Sequence, residues 1–273
     1  TYGLEDYYDY TGSWSPMGGI DFMDHNLGDH CMFSKFTLGW TSPVVVDDTA
    51  LITLRPGTTT GDCFIIPSPN YNGTAFDEYI MVELMSPVGL AEFDYKNGYS
   101  QPGLRITHVD ARPRKTTFDE ENTLNPETGK DFRVCNTKGG RSGVGQDGDY
   151  WEHTVNGKKE KEYYTLTSLM ESDYDADKTW KSVSTFNASN RTLFKKNHVF
   201  SLEEGEGWAE TFMPSRSNLW NKAKFNTERA GATIKKFTVD ETCTFNYEIQ
   251  VVSIKQDAEY GYVAEVKIIA DKY

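Results

Sequence analysis

The chain has 273 residues, with 28 Lys and Arg against 41 Asp and Glu and a formal net charge of −13 at pH 7. That length holds one large or two modest domains and buries a core without staples. The acidic balance argues against nucleic acid and against an anionic membrane surface, both of which select basic patches. No stretch approaches about eighteen apolar residues, so no membrane span is expected.

Aromatic residues make up 14% of the chain, and its sixteen tyrosines fit strands and tyrosine-bearing surfaces better than a helical bundle. Residues 7–24 are dense in turn formers and show no period, so a loop is expected there. Asp29 is placed to cap a helix over 30–38, with Met32 and Phe36 one turn apart and Gly39 as its stop. His30, at its start, is read as a capping or packing histidine. Ser42-Pro43 then marks a boundary.

Beyond it the texture changes to short alternating runs. Strands are expected at Val44-Val45-Val46, Leu51 to Leu54, Asp62 to Pro67, Glu78 to Leu84 and Leu104 to Asp110. The run from Glu78 is apolar on both faces, which suits a central strand. His108 and Asp110 share one face of their strand, leaving open a metal or hydrogen-bonded pair beside a plain structural histidine. Residues 112–162 are polar and turn-rich and read as an insertion. Within it Gly143-Val144-Gly145-Gln146-Asp147-Gly148 matches a phosphate-loop pattern but lacks the preceding strand and following helix. Strand texture resumes at Tyr163 to Glu171. Asp173, Asp175 and Asp177 alternate like the start of a calcium loop, although Lys178 replaces the expected glycine and Ser184 the twelfth-position glutamate. At the end, Thr244–Ile254 and Tyr260–Ile269 alternate about the five residues 255–259 and predict a hairpin. A closing pair of this kind fits an antiparallel sandwich.

Cys31, Cys63, Cys135 and Cys243 are spread too widely for a zinc ribbon, and a disulfide framework is not favoured among the possible pairings. The sequons at Asn72, Asn187 and Asn190 are too common a tripeptide to carry an argument.

The segment Gly3-Leu4-Glu5-Asp6-Tyr7-Tyr8-Asp9-Tyr10 is followed by Gly18-Gly19-Ile20-Asp21-Phe22-Met23-Asp24 and by a helix ending in Leu38-Gly39-Trp40. In that order they resemble the immune inhibitor A-like family of secreted bacterial zinc metallopeptidases. Glu78 to Glu83 and Gly103 to Asp110 resemble the same family downstream of its catalytic domain. A metzincin zinc site runs His-Glu-x-x-His-x-x-Gly-x-x-His with a later methionine turn. Aligned to it, Thr1 follows the second histidine, Gly3 takes the glycine, and Asp6 takes the third-ligand position. Aspartate there departs from the motif, although carboxylate is an accepted zinc ligand. Met23 is the candidate methionine of the turn, with Met17 as runner-up. The five histidines, His25, His30, His108, His153 and His198, include no His-x-x-x-His pair. The resemblance thus implies a peptidase cut just downstream of its catalytic helix, with the general-base glutamate upstream of Thr1.

The expected architecture is mainly β. Residues 1–42 form the helix and methionine-turn remnant of a metzincin-like domain, and 43–273 an antiparallel β-sandwich-like domain with the insertion around 112–162. The implied parent is a secreted or cell-surface zinc endopeptidase acting on protein or peptide substrates, and the chain alone would be catalytically incomplete. Calcium at Asp173, Asp175 and Asp177 is a second possible ion. The rival expectation is an extracellular carbohydrate- or protein-binding module, with Trp14, Trp151 and Trp180 as stacking candidates.

Overall fold

The computed structural model describes residues 4, 7, 17–25, 28–68, 71–111, 113–116, 131–134, 150–155, 158–163, 166–170, 188–200 and 247–270. Its fold is mainly β, built on two facing sheets. One has five strands: β1 (Val44–Val45), β3 (Cys63–Pro67), β4 (Glu78–Met85), β5 (Gly103–Asp110) and β10 (Thr167–Leu169) lie side by side in that order. The other has four, ordered β11 (Val199–Phe200), β12 (Tyr247–Asp257), β13 (Gly261–Ala270) and β2 (Ala50–Leu54). All neighbours pair antiparallel except β1 with β3.

The period of two decides which side chain meets which. Phe64, Ile66, Ile80, Val82, Leu84, Leu104 and Ile106 project from the first sheet. They meet Leu54, Ile249, Val251, Ala264, Val266 and Ile268 of the second in one buried core. Their alternate neighbours, Cys63, Ile65, Tyr79, Met81 and Val109, point to the opposite face of the five-stranded sheet. That face is covered in turn. Tyr7 and Met17 pack there, and so do Cys31, Met32 and Phe33 at the start of α2 (Met32–Thr37). β4 is therefore buried along its whole length, as its two apolar faces predicted. Each large apolar side chain so covered contributes about 1.5–3 kcal/mol.

The helix expected over 30–38 is shorter, and Asp29 does not cap it. Cys31 stands at the N-cap with no side-chain bond to the helix backbone N–H groups. Asp29 instead accepts His30 N–H at 2.8 Å and binds Lys35 Nζ at 2.5 Å and Thr58 Oγ1 at 2.8 Å, so an ion pair with the helix's own lysine and a bond to a distant threonine outcompete the cap. The stop is as expected. Gly39 has φ +71°, its N–H reaches Phe36 O, and Trp40 N–H reaches Lys35 O, the paired bonds of a Schellman ending.

The terminal hairpin is longer than its alternation implied. β12 runs to Asp257 and β13 starts at Gly261, so the connection is 258–260 rather than 255–259. Lys255 and Gln256 still pair with Val263 and Tyr262 beyond the edge of the core, where alternation carries no signal. Asp257 Oδ1 accepts the Glu259 and Tyr260 N–H groups, both at 2.9 Å, and Gly261 (φ +77°) closes the turn. A register shift between Val251 and Ser253 leaves Val252 exposed.

Within 112–162 the structure places two strand pairs that apolar patterning does not reveal. β6 (Pro113–Thr116) pairs with β7 (Asp131–Val134), and β8 (Tyr150–Val155) with β9 (Lys158–Tyr163). β9 reads Lys-Lys-Glu-Lys-Glu-Tyr, with no apolar alternation to find. Three one- to two-turn helices were also silent in the sequence: α1 (Phe22–His25), inside the expected loop 7–24, α3 (Gly57–Thr60) and α4 (Glu92–Asn97).

Candidate metal-site wall

The residues nearest the aligned zinc motif form a strap, 17–25 and 28–31, laid over the outer face of the five-stranded sheet. Paired glycines give it a tight turn. Gly18 and Gly19 both have positive φ, near +74° and +71°, which only glycine adopts at little cost. The Asp24 carboxylate closes that turn by accepting Met17 N–H at 3.2 Å and Gly19 N–H at 2.8 Å. Asp21 caps α1 through Met23 N–H at 2.7 Å and holds Cys31 N–H at 2.6 Å with its other oxygen. One aspartate thus ties the start of α1 to the start of α2.

Asp6 and Gly3 lie outside the described residues, and so do Asp173, Asp175 and Asp177. Tyr7, the neighbour of Asp6, is described. Its N–H donates to Met23 O at 3.0 Å, its hydroxyl pairs with Ser34 Oγ at 2.7 Å, and its ring lies 5.9 Å from that of Phe33. Burial raises its phenol well above the ordinary tyrosine range. Met23 itself sits within α1, half-buried. Met17 is the methionine in the tight turn and is fully buried in the same apolar cluster. Among the described residues no group of three or more His, Cys, Asp or Glu is arranged to hold a metal.

Under the strap the sheet carries charge. Glu83 on β4 and Arg105 on β5 are direct cross-strand partners. Arg105 Nε and Nη2 each lie 2.8 Å from Glu83 Oε1, with side chains 3% and 4% exposed, and Nη1 donates to Ile20 O at 3.4 Å. Burial works against the guanidinium charge, but Glu83 and the surrounding acidic groups outweigh it and hold Arg105 firmly protonated. Cys31 and Cys63 are free, buried thiols. Burial pushes Cys63 up to about 12 and raises Cys31 well above its ordinary value.

His108 faces the other way, into the end of the sandwich. Its Nε2 lies 3.1 Å from Glu78 Oε1, and both side chains are buried. His108 is thus a buried, hydrogen-bonded histidine whose partner is Glu78 on the adjacent strand rather than Asp110. His30 does not cap the helix; it packs, half-buried, against neighbouring rings. Its ring stands between two exposed ones, 4.9 Å from Phe22 and 5.7 Å from Trp40, an aromatic series that residue spacing did not announce. Of the expected stacking tryptophans, Trp151 falls on β8, opposite Glu162, rather than in a loop. Trp14 and Trp180 lie outside the described residues.

No described helix is long and apolar enough to cross a membrane. Compared with protein-family models, curated proteins and solved structures, the chain matches none.

Proposed function

We infer that this chain is part of a secreted or cell-surface zinc-dependent endopeptidase, with Asp6 as third metal ligand. What supports it is the bond from Tyr7 N–H to Met23 O, which ties the residue after Asp6 to the helix carrying the candidate methionine. The fully buried Met17, in its glycine-rich turn, joins the same apolar cluster. A third ligand needs such a wall, because its carboxylate must be held against an ion gripped from another element. A His-Glu-x-x-His helix from a preceding segment would supply the other ligands and the general base. Bound zinc would polarise the peptide carbonyl and activate water. The chain alone would hold zinc poorly, since a lone carboxylate does not make a site.

The test reads the coding sequence ahead of Thr1 and expresses the chain with that extension. A His-Glu-x-x-His helix and a single bound zinc, lost in Asp6→Ala, are expected by elemental analysis and casein cleavage. An extension without the histidine pair, or zinc unchanged in Asp6→Ala, would overturn the inference. The exposed Phe22 and Trp40 rings, with the half-buried His30 ring between them, favour a second reading, a carbohydrate- or protein-binding module. Quenching of Trp40 fluorescence by soluble glycans, lost in Phe22→Ala, would support it. No change across a glycan panel would remove its carbohydrate form.

A further inference from the structure

The turn at Gly28–Asp29 packs against a carboxyl group that has no counterpart in the peptidase chemistry above. Gly28 has φ +75°, and a Cβ built on it would drive into the Asp94 carboxylate. Asp94, in the first turn of α4, is 2% exposed, and its Oδ1 has no hydrogen-bond partner among the described residues. A buried carboxylate in that position lacks the pairing that usually offsets desolvation.

The groups facing Asp94 come from four directions. Arg105 on β5 favours its ionised form. Glu83 on β4, with Asp21 and Asp29 on the strap, opposes it. Arg105 is already engaged by Glu83, and Lys35 on α2 by Asp29, so neither cation is dedicated to Asp94. On its own side, Tyr95 and the Tyr99 beyond α4 are neutral phenols, raised by burial. Burial first, and the neighbouring carboxylates after it, lift Asp94 to about 7.

We propose that the Gly28–Asp29 turn is an acid-closed latch, seated on the sheet when the Asp94 carboxyl carries a proton and loosened when it ionises. Protonation removes a buried, underpaired charge from beneath the turn; opening exposes the carboxylate to water. The bonds that report closure are inside the latch. Phe22 N–H reaches Asp29 O at 3.3 Å, and Cys31 N–H reaches Asp21 Oδ2 at 2.6 Å. A carboxyl titrating at about 7 closed and near 3.8 open makes closure roughly 30-fold more favourable at about pH 5.5 than at about pH 8. The latch stands on the packing of this turn and is independent of the zinc chemistry inferred above.

The experiment measures hydrogen-exchange protection at the Phe22 and Cys31 amides of the full chain, corrected for the intrinsic pH dependence of exchange. Protection is expected to fall roughly 30-fold between about pH 5.5 and about pH 8 in the wild type, and to be flat in Asp94→Asn. No fall in the wild type, or an equal fall in Asp94→Asn, overturns the latch. If Asp94→Asn does not fold, carbon-13 titration of the Asp94 carboxyl in the wild type decides. A midpoint near 7 sustains the proposal, and one near the ordinary 3.8 overturns it.

Discussion

Removing either partner of the Glu83–Arg105 pair should be severe, and the two removals should be unequal. Both side chains are almost fully buried, and one carboxylate oxygen takes both guanidinium contacts at 2.8 Å. Breaking a buried pair from one side costs about 3–5 kcal/mol, because it strands the other charge. The surroundings decide the order. In Glu83→Leu the guanidinium still faces Asp94, which partly replaces the lost partner, so the loss should lie near the lower bound of about 3 kcal/mol. In Arg105→Met no described cation is left among Glu83, Asp94 and Asp21, and the Ile20 carbonyl loses its donor. That loss should approach the upper bound of about 5 kcal/mol. The double variant Glu83→Leu with Arg105→Met should recover much of it, since a well-packed apolar pair can replace a buried ion pair. Urea denaturation at constant pH, with the m-value checked for two-state behaviour, measures all three. Equal single losses under about 1 kcal/mol would refute the idea that this pair neutralises the covered face of the sheet.

Further outcomes follow from the same structure. Ile249→Ala, at the centre of the sandwich, should lower stability by about 2–5 kcal/mol in the same denaturation assay, and Leu51→Ala, on the exposed side of β2, by under about 0.5 kcal/mol. Gly39→Ala should cost only about 1 kcal/mol, because φ is +71° but the space around it is open. Gly28→Ala should cost clearly more in thermal melts, since strain there is joined by collision with Asp94. Cys31 and Cys63 should not react with an aromatic disulfide at about pH 8 until the chain is denatured, because burial holds both thiols protonated. Burial pushes Asp62 up, but hydrogen bonds from Arg55 outweigh it and leave the carboxyl lowered. Its contribution is therefore present above the ordinary aspartate range and lost as pH falls through its folded value. In Arg55→Ala the carbon-13 midpoint of Asp62 should move up.

The sandwich was legible where strands are buried and short of the edge. Glu78 to Leu84 announced a central strand, because a strand that is apolar on both faces must be covered on both. The Schellman stop at Gly39 was equally clear, since glycine there answers a specific backbone need. What failed was context-dependent. Asp29 had the chemistry of a cap, but one oxygen goes to Lys35 and to Thr58, the latter brought in by tertiary packing, and the other to the His30 N–H. Strand β9 was hidden because a charged strand leaves no apolar trace. In the candidate site, a methionine turn was expected at Met23, with Met17 as runner-up. Spacing alone could not show that Met17 rather than Met23 occupies that turn, nor that Asp21 and Asp24 hold it together. Asp94 gave no signal at all, because an aspartate in a short helix is ordinarily a solvated one.

Because β4 is covered on both sides, the sandwich and the strap cannot be exchanged separately between proteins. A graft joined at Ser42-Pro43 would carry Ile65, Tyr79, Met81 and Val109 onto its surface as one sticky, strand-borne patch. A cut for recombination or domain swapping that keeps this face covered must leave Tyr7, the strap and α2 on the side of the sandwich. Changes in the strap would therefore register as solubility and expression defects of the sandwich before they registered in any chemistry.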